Sequence, residues 1–523
     1  MDKLEYLKSV LLMVKYAKDN DLKSVDKKIW KVNDDEIRKV KKTLLIAGSI
    51  DEKEYFEKVN IILNNFEEEL NYVSIDVIGE DTVISEGMVF TPVYLAKIVV
   101  EICKKYLTQE TLELAGDVSS GMGAFIYSLN SIFPELRTMS FEKNSLLFHL
   151  SSILFKEKNT ILNCDTLRLS DEYSSCFDLI VGNPPYVRLQ NIDKDTRNFI
   201  ENSDLYKEYL FGSYDLSVAF IVKIVDLLKE DGVAGLVLTR KLFSSAYGKK
   251  ICNYLKEHTQ ILEIIDFGDN QMFHDKTTYT LVIVFKKKKR KEEYSFLHCM
   301  IPTQHIIDEN NVYGLIKENI KKYDSSVLEE YPWDFSSLKE KRILTKFGKN
   351  GCKILDKFTI VQGFRTGDNK AFIIDTGGKF IRPYVDGKCI GRGIIKKTQN
   401  IVWPCILRDN NYCLIDIEEL MEKNVKAYEH LLKLRKNAEI PKLHAYSRPQ
   451  NMFAMDSMKI FIKEMMPRAE FAADSIGDIC FSSGYAMIPL NKMNEHEIKG
   501  WAYLLSTEVM EYQYRLISTN LHI

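Results

Sequence analysis

Over the first 75 residues, apolar positions fall at helical intervals, as at Ile62, Phe66 and Leu70, among many charges and with little glycine or proline. That spacing predicts a small helical region over 1–75, whose expected role is to brace the neighbouring domain. From about residue 76 the period changes, and short apolar runs alternate with amphipathic stretches, as in a βαβ sheet. The runs are TLELAGDV, ELRTMSFE, NTILNC, FDLIVGN, VAGLVLTR, ILEIIDFG and YTLVIVF, so a sheet of about seven strands is expected over 76–330. The lysine-rich run KKKKRKEE at 286–293 follows the last of them and reads as a solvated linker. Residues 331–523 are richer in aromatic, glycine and basic positions and predict a separate mixed α/β domain, closed by one helix over EHEIKGWAYLLSTEVMEYQYRL.

Composition narrows this picture only a little. At 523 residues the chain exceeds what one hydrophobic core holds, so several domains are expected. A net charge of -2 neither demands nor excludes nucleic acid, because a basic cleft can be balanced by acidic outer faces. The ten cysteines form no C-x-x-C pair, and no histidine cluster has zinc spacing, so reduced thiols and no metal are expected. With no apolar stretch approaching about 18 residues, neither a membrane span nor a signal peptide is expected, and residence is read as cytoplasmic.

Chemistry concentrates in the sheet region. FDLIVGNPPYVRLQ, 177–190, ends an apolar run in Asn183, Pro184, Pro185 and Tyr186, and prolines cannot continue a strand. A stiff polar and aromatic loop at a strand's carboxyl end stands where open α/β sheets bind ligands. GDVSSGMGAF, 116–125, places Gly121 and Gly123 between a strand and a helix, where a ligand can approach the backbone closely. The next run ends in Glu142, about 20 residues on, where a carboxylate can accept from both ribose hydroxyls. Asp165, at the end of the third run, can accept from an adenine amino group or cap a helix. The G-K-[ST] of a phosphate loop and the third glycine of a dinucleotide fingerprint are missing, so a nucleoside without a pyrophosphate is indicated. S-adenosylmethionine fits that description.

In this order the motifs resemble the gamma-class adenine-N6 DNA methyltransferases of restriction–modification systems. In that family an F-x-T-P or F-T-P element precedes the glycine loop, N-P-P-Y follows, and a target-recognition domain comes last. Here they are GMVFTPVYLAK at 87–97, DVSSGMGAF at 117–125 and NPPY at 183–186. YDLSVAF at 214–220, GVAGLVLTRKLF, and DNQMFHDKTTYTLVIVF at 269–285 are similar later elements. VQGFRTGDNKAF, RPYVDGKCIGRG, HAYSRPQ and FSSGYAMI resemble a TaqI-like specificity domain. Val118 and Met122 depart from the proline and serine common in the family.

The resemblance implies a Rossmann-like methyltransferase sheet, S-adenosylmethionine as cofactor, and methyl transfer to the N6 amino group of a flipped-out adenine in double-stranded DNA. Asn183 and the Pro184 carbonyl would accept from the amine, while Tyr186 and Phe273 would stack on the base. Phe90, Thr91, Pro92, Asp117, Ser119, Gly121, Gly123, Glu142, Asp165, Asn183 and Pro185 would form the cofactor site, with Asp117 ordering the glycine loop or meeting the methionine amino group. A cognate restriction endonuclease is an implied partner, and a prokaryotic cytoplasm the implied setting. A competing reading is an RNA or protein-glutamine methyltransferase with the same loop. A further one is a DNA-binding protein with a degenerate methyltransferase fold. The arginines, lysines, asparagines and glutamines of 331–523, for instance Arg365, Asn369, Arg382 and Arg448, are the candidates for contact with bases or phosphates.

Overall fold

The computed structural model describes residues 3–47, 51–66, 89–107, 112–156, 158–210, 212, 214–243, 245, 248–273, 279–288, 293–302, 307–333, 335, 345–346, 348, 351–409, 411–463, 466, 468–482 and 484–517. Leu70, residues 289–292 of the KKKKRKEE run, residues 87–88 of the F-T-P element and residues 274–278 lie outside them. The chain divides into two compact units, Met1–Phe335 and Ser336–Ile523.

All seven expected strands are present in the first unit: β1 (Leu114–Asp117), β2 (Arg137–Glu142), β3 (Asn159–Asn163), β4 (Phe177–Gly182), β5 (Leu228–Thr239), β6 (Thr259–Asp266) and β7 (Thr280–Lys287). Two more, β8 (Ser295–Met300) and β9 (Ile320–Asp324), extend the sheet to nine strands in the order β3-β2-β1-β4-β5-β7-β6-β8-β9. The additional strands escaped the pattern reading because they lie at one edge: β9 has no buried residue, so it lacks the apolar signal of a central strand. β1 to β5 pair in parallel, whereas β7 runs antiparallel between β5 and β6.

The central runs are apolar throughout because both faces of the sheet are covered. Alternate residues divide cleanly. Leu179, Val181, Val233, Val237, Val282 and Val284 join one core. Ile180, Ala234, Leu236, Leu238, Leu281 and Ile283 join the other. The first core also holds the apolar stripes of α1 (Lys3–Asp19), α2 (Asp35–Ala47), α3 (Glu52–Asn64), α4 (Val93–Lys104), α5 (Ala124–Ile132) and α6 (Ser145–Phe155). The amino-terminal helices therefore share the core of the nine-stranded sheet, and α1 packs directly on α6. Their fully buried Val10, Val14, Val40 and Val59 each contribute about 1.5–3 kcal/mol relative to exposure. The second core is closed by α7 (Lys194–Asn202), α8 (Leu216–Leu227) and α9 (Gly248–His258). Trp333 and Phe335 also pack there, against Phe243, and so carry the first unit past residue 330.

The second unit is α+β. β10 (Phe358–Gln362), β18 (Tyr485–Pro489), β16 (Lys459–Ile462) and β17 (Phe471–Asp474) form an antiparallel sheet, β11 (Ile373–Ile374), β13 (Gln399–Val402) and β12 (Ile381–Tyr384) another, and β14 (Cys405–Arg408) pairs with β15 (Asn411–Leu414). The single closing helix expected from sequence is instead two, Glu495–Leu505 and Glu508–Ile517. The break falls at Ser506, whose Oγ accepts from the backbone N–H of Phe471 and so ties the chain to β17. Among the described residues no helix is long and apolar enough to cross a membrane.

Candidate active site

Strand order β3-β2-β1-β4 sets four carboxyl ends side by side, and the connections reverse direction beside β1, where open α/β sheets bind ligands. A cavity of about 610 Å³ opens there, within the size range of cofactor sites. Phe90, Ser119, Gly121, Glu142, Asp165, Asn183 and Pro185 line it, so seven residues anticipated from sequence converge.

The glycine loop is shaped by its own backbone. Gly121 and Gly123 have φ of +52° and +94°, a region costly for residues with a Cβ. A Cβ at Gly123 would also lie 2.5 Å from the Phe155 ring. Gly123 starts α5, and Pro92 stands just ahead of α4.

The acids hold these loops in place. Glu142 accepts from the N–H groups of Gly121 at 2.8 Å and Asn144 at 2.7 Å, which ties the end of β2 to the glycine loop. Asp165 caps a short helical turn through the Leu167 N–H and lies 3.1 Å from Lys143 Nζ. Asp117 is fully buried; its Oδ1 accepts from the Ser119 N–H at 3.2 Å, while Oδ2 has no hydrogen-bond partner among the described residues. Burial pushes its carboxyl up to about 8, the Ser119 bond opposing and Glu142 adding to the rise.

Asn183 is fixed from both ends. Its Nδ2 donates to the Val89 carbonyl and to Thr91 Oγ1, each at 3.1 Å, which turns Oδ1 toward the Tyr186 hydroxyl at 2.6 Å. That hydroxyl also lies 2.8 Å from the Val237 carbonyl oxygen, and with one proton it donates to one of the two at a time. The Asn183 backbone carbonyl accepts from Ser119 Oγ at 3.0 Å, joining the N-P-P-Y loop to the glycine loop.

Some anticipated residues stand elsewhere. Thr91 does not line the cavity; it orients Asn183 from behind. Pro184 is buried, and Tyr186 is half-buried beside the cavity rather than on its lining. Phe273 is 7% exposed within the first hydrophobic core and does not reach the lining. Sequence patterns also missed residues that do. Lys143, Val187, Asp193 and Phe220 line the cavity, as does Asn144, which caps α6 and carried a readable signal as an amide-bearing residue before an apolar helix. Thr166, whose Oγ1 donates to the Val118 carbonyl at 2.6 Å, gave no signal, because its partner is 48 residues away in sequence.

Asp117 also stands off the lining, fully buried and bonded to the Ser119 N–H, while apolar walls from Phe90, Leu147 and Phe220 and a polar rim fit a ligand with a nucleoside end. Sheet order, antiparallel β7 and this cavity define an S-adenosylmethionine-dependent methyltransferase fold, and S-adenosylmethionine is the cofactor.

Residues 94–273 match the family described as Eco57I restriction-modification methylase. The type II restriction enzyme and methyltransferase RM.Eco57I of Escherichia coli is 28% identical over 202 residues, 38% of this chain and 19% of that protein. The type II methyltransferase M.BanIII of Aneurinibacillus aneurinilyticus is 25% identical over 362 residues, 61% of each chain. The chain thus spans less than two thirds of either relative. Among solved structures, the type IIG restriction endonuclease BpuSI matches with a TM-score of 0.50 at 15% identity, over 99% of this chain and 67% of that one. A DrdV–DNA complex matches with a TM-score of 0.50 at 12% identity, over 97% and 64%. The likeness to gamma-class restriction–modification DNA methyltransferases is borne out by the family match and these relatives.

Proposed function

We propose that this chain transfers a methyl group from S-adenosylmethionine to the N6 amino group of an adenine flipped out of double-stranded DNA, within a restriction–modification system. The observation that carries the reading is the Asn183 amide, locked by Val89 and Thr91 at the end of β4 with its oxygen beside the cofactor cavity. When bound, the cofactor supplies an electrophilic sulfonium methyl. The chain's task is to make a poor nucleophile attack. The adenine amine has its lone pair delocalised into the ring, and acceptors on its two hydrogens favour a tetrahedral nitrogen and stabilise its developing charge. Asn183 Oδ1 supplies one acceptor and the Pro184 carbonyl the other, held rigid by the two prolines. The Tyr186 hydroxyl can turn its proton to the Val237 carbonyl, which leaves both Oδ1 lone pairs of Asn183 to the amine. Its ring then offers a stacking face for the extruded base, whose unstacking costs a few kcal/mol. The methylated nitrogen afterwards loses its extra proton to solvent, so no general base is required.

Phe90, Ser119, Gly121, Glu142, Asp165 and Pro185 hold the cofactor in this reading, with Asp117 beneath its methionine end. The second unit supplies target recognition, and a cognate restriction endonuclease is the partner. The test is transfer of labelled methyl to unmethylated genomic DNA by wild type and Asn183→Ala, with modified bases mapped by single-molecule sequencing. Adenine-N6 marks at one short motif, lost in the variant, support the reading. Marks on cytosine overturn the choice of base, and label found only on RNA or protein overturns the choice of substrate.

A further inference from the structure

The four candidate DNA-contacting side chains of the second unit have different surroundings. Arg382 is committed to the fold: its Nη2 lies 2.7 Å from Asp456 Oδ1 and donates to the Met455 carbonyl, and its guanidinium sits over the Trp403 ring at 4.9 Å. Asn369 Oδ1 accepts from the hydroxyls of Thr366 at 2.6 Å and Ser482 at 3.1 Å. Arg365 and Arg448 are exposed, and among the described residues neither guanidinium has a carboxylate partner. Asp368, the acid nearest Arg365 in sequence, caps a helical turn through the Ala371 N–H.

These two arginines face each other. Each backbone N–H donates to the other's carbonyl, at 2.9 and 3.0 Å, which makes them a directly opposed antiparallel pair. Such a pair has Cα atoms about 5.5 Å apart and side chains on one face. Like charges so placed repel in the free protein, so fold stability does not account for the arrangement. The backbone beneath is rigid. Phe364 and Tyr446, buried neighbours on the two segments, stack at 4.5 Å with an 11° interplanar angle. Ser447 Oγ donates to the Arg365 carbonyl at 3.1 Å, and Gln450 Nε2 to the Gly363 carbonyl at 2.9 Å.

We infer that Arg365 and Arg448 together grip one phosphodiester of the DNA backbone. The inference rests on the reading of this chain as a DNA-modifying enzyme and gives that reading a contact point. A full negative charge between the guanidiniums relieves their repulsion and presents oxygens to both donor forks. The edge of a guanine is neutral and is satisfied by one arginine, so it leaves the second charge uncompensated. The pair therefore sets register and affinity and does not read sequence.

Fluorescence anisotropy of the full chain with a labelled 30-base-pair duplex of random sequence, from 50 to 300 mM salt, tests this. Arg365→Gln and Arg448→Gln should each weaken binding about three- to tenfold at 100 mM salt, and each should lower the log–log salt slope by about one. Arg365→Lys and Arg448→Lys should keep the slope while losing part of the affinity, and circular dichroism should be unchanged in all four. A slope and affinity equal to wild type in both glutamine variants would overturn the inference and leave the DNA reading intact. An altered methylated motif in either variant would overturn it in favour of base reading. A wild type that bound no duplex would overturn the reading beneath, and the inference with it.

Discussion

Asp117 gives the most quantitative consequence of the site geometry. Its carboxyl is fully buried, accepts one hydrogen bond, and is held up to about 8 by desolvation. At pH 7 the ligand-free protein then carries it protonated by about ten to one. If the methionine ammonium of the cofactor docks against Oδ2, the ionised form is favoured in the complex. Binding near pH 7 should release close to one proton, and affinity should fall by up to tenfold, about 1.4 kcal/mol, for each unit below pH 8. Titration calorimetry with S-adenosylhomocysteine in phosphate and Tris, whose ionisation heats differ, counts that proton. Asp117→Asn should release none and bind with little pH dependence. The sign for stability is the opposite. A folded value raised above 3.8 means that the contribution is fully present below pH 3.8 and is lost as pH rises through about 8. Ligand-free wild type should therefore lose stability relative to Asp117→Asn between pH 4 and 8. Equal proton counts for wild type and variant at pH 7 would refute the argument.

Three other outcomes are expected from the same geometry. Thr91→Val removes one acceptor of the Asn183 amide and should lower kcat about 10- to 100-fold with cofactor affinity little changed; Thr91→Ser should restore it, and a purely structural role would move both parameters. Gly123→Ala adds left-handed backbone strain and a contact with Phe155, and should cost about 2–4 kcal/mol in urea unfolding; an unshifted midpoint would show that the loop yields. Phe273→Ala should cost about 3–5 kcal/mol of stability, because the ring sits in the core, whereas near-wild-type melting with a collapsed kcat would restore the base-stacking role expected from the motif.

The sequence by itself determined the sheet, because central strands buried on both faces must be apolar runs and the turns between them must carry glycine, proline and acids. It also determined which loops gather at the carboxyl edge, since parallel β1 to β4 deliver Asp117, Glu142, Asp165 and Asn183 to one rim whatever fills the helices. What those side chains do there was decided by contacts between residues far apart in the chain. Glu142 and Asp165 spend their oxygens on neighbouring loops, and Thr91 reaches Asn183 across 92 positions. β9 and the break at Ser506 were silent for the same reason: an exposed edge strand has no apolar signature, and a serine that leaves a helix to bond a distant strand looks locally like any other. Periodicity reports which face of an element is buried. It cannot report which partner occupies that face, and hydrogen-bond geometry, charge state and the outward placement of Arg365 and Arg448 all depend on the partner.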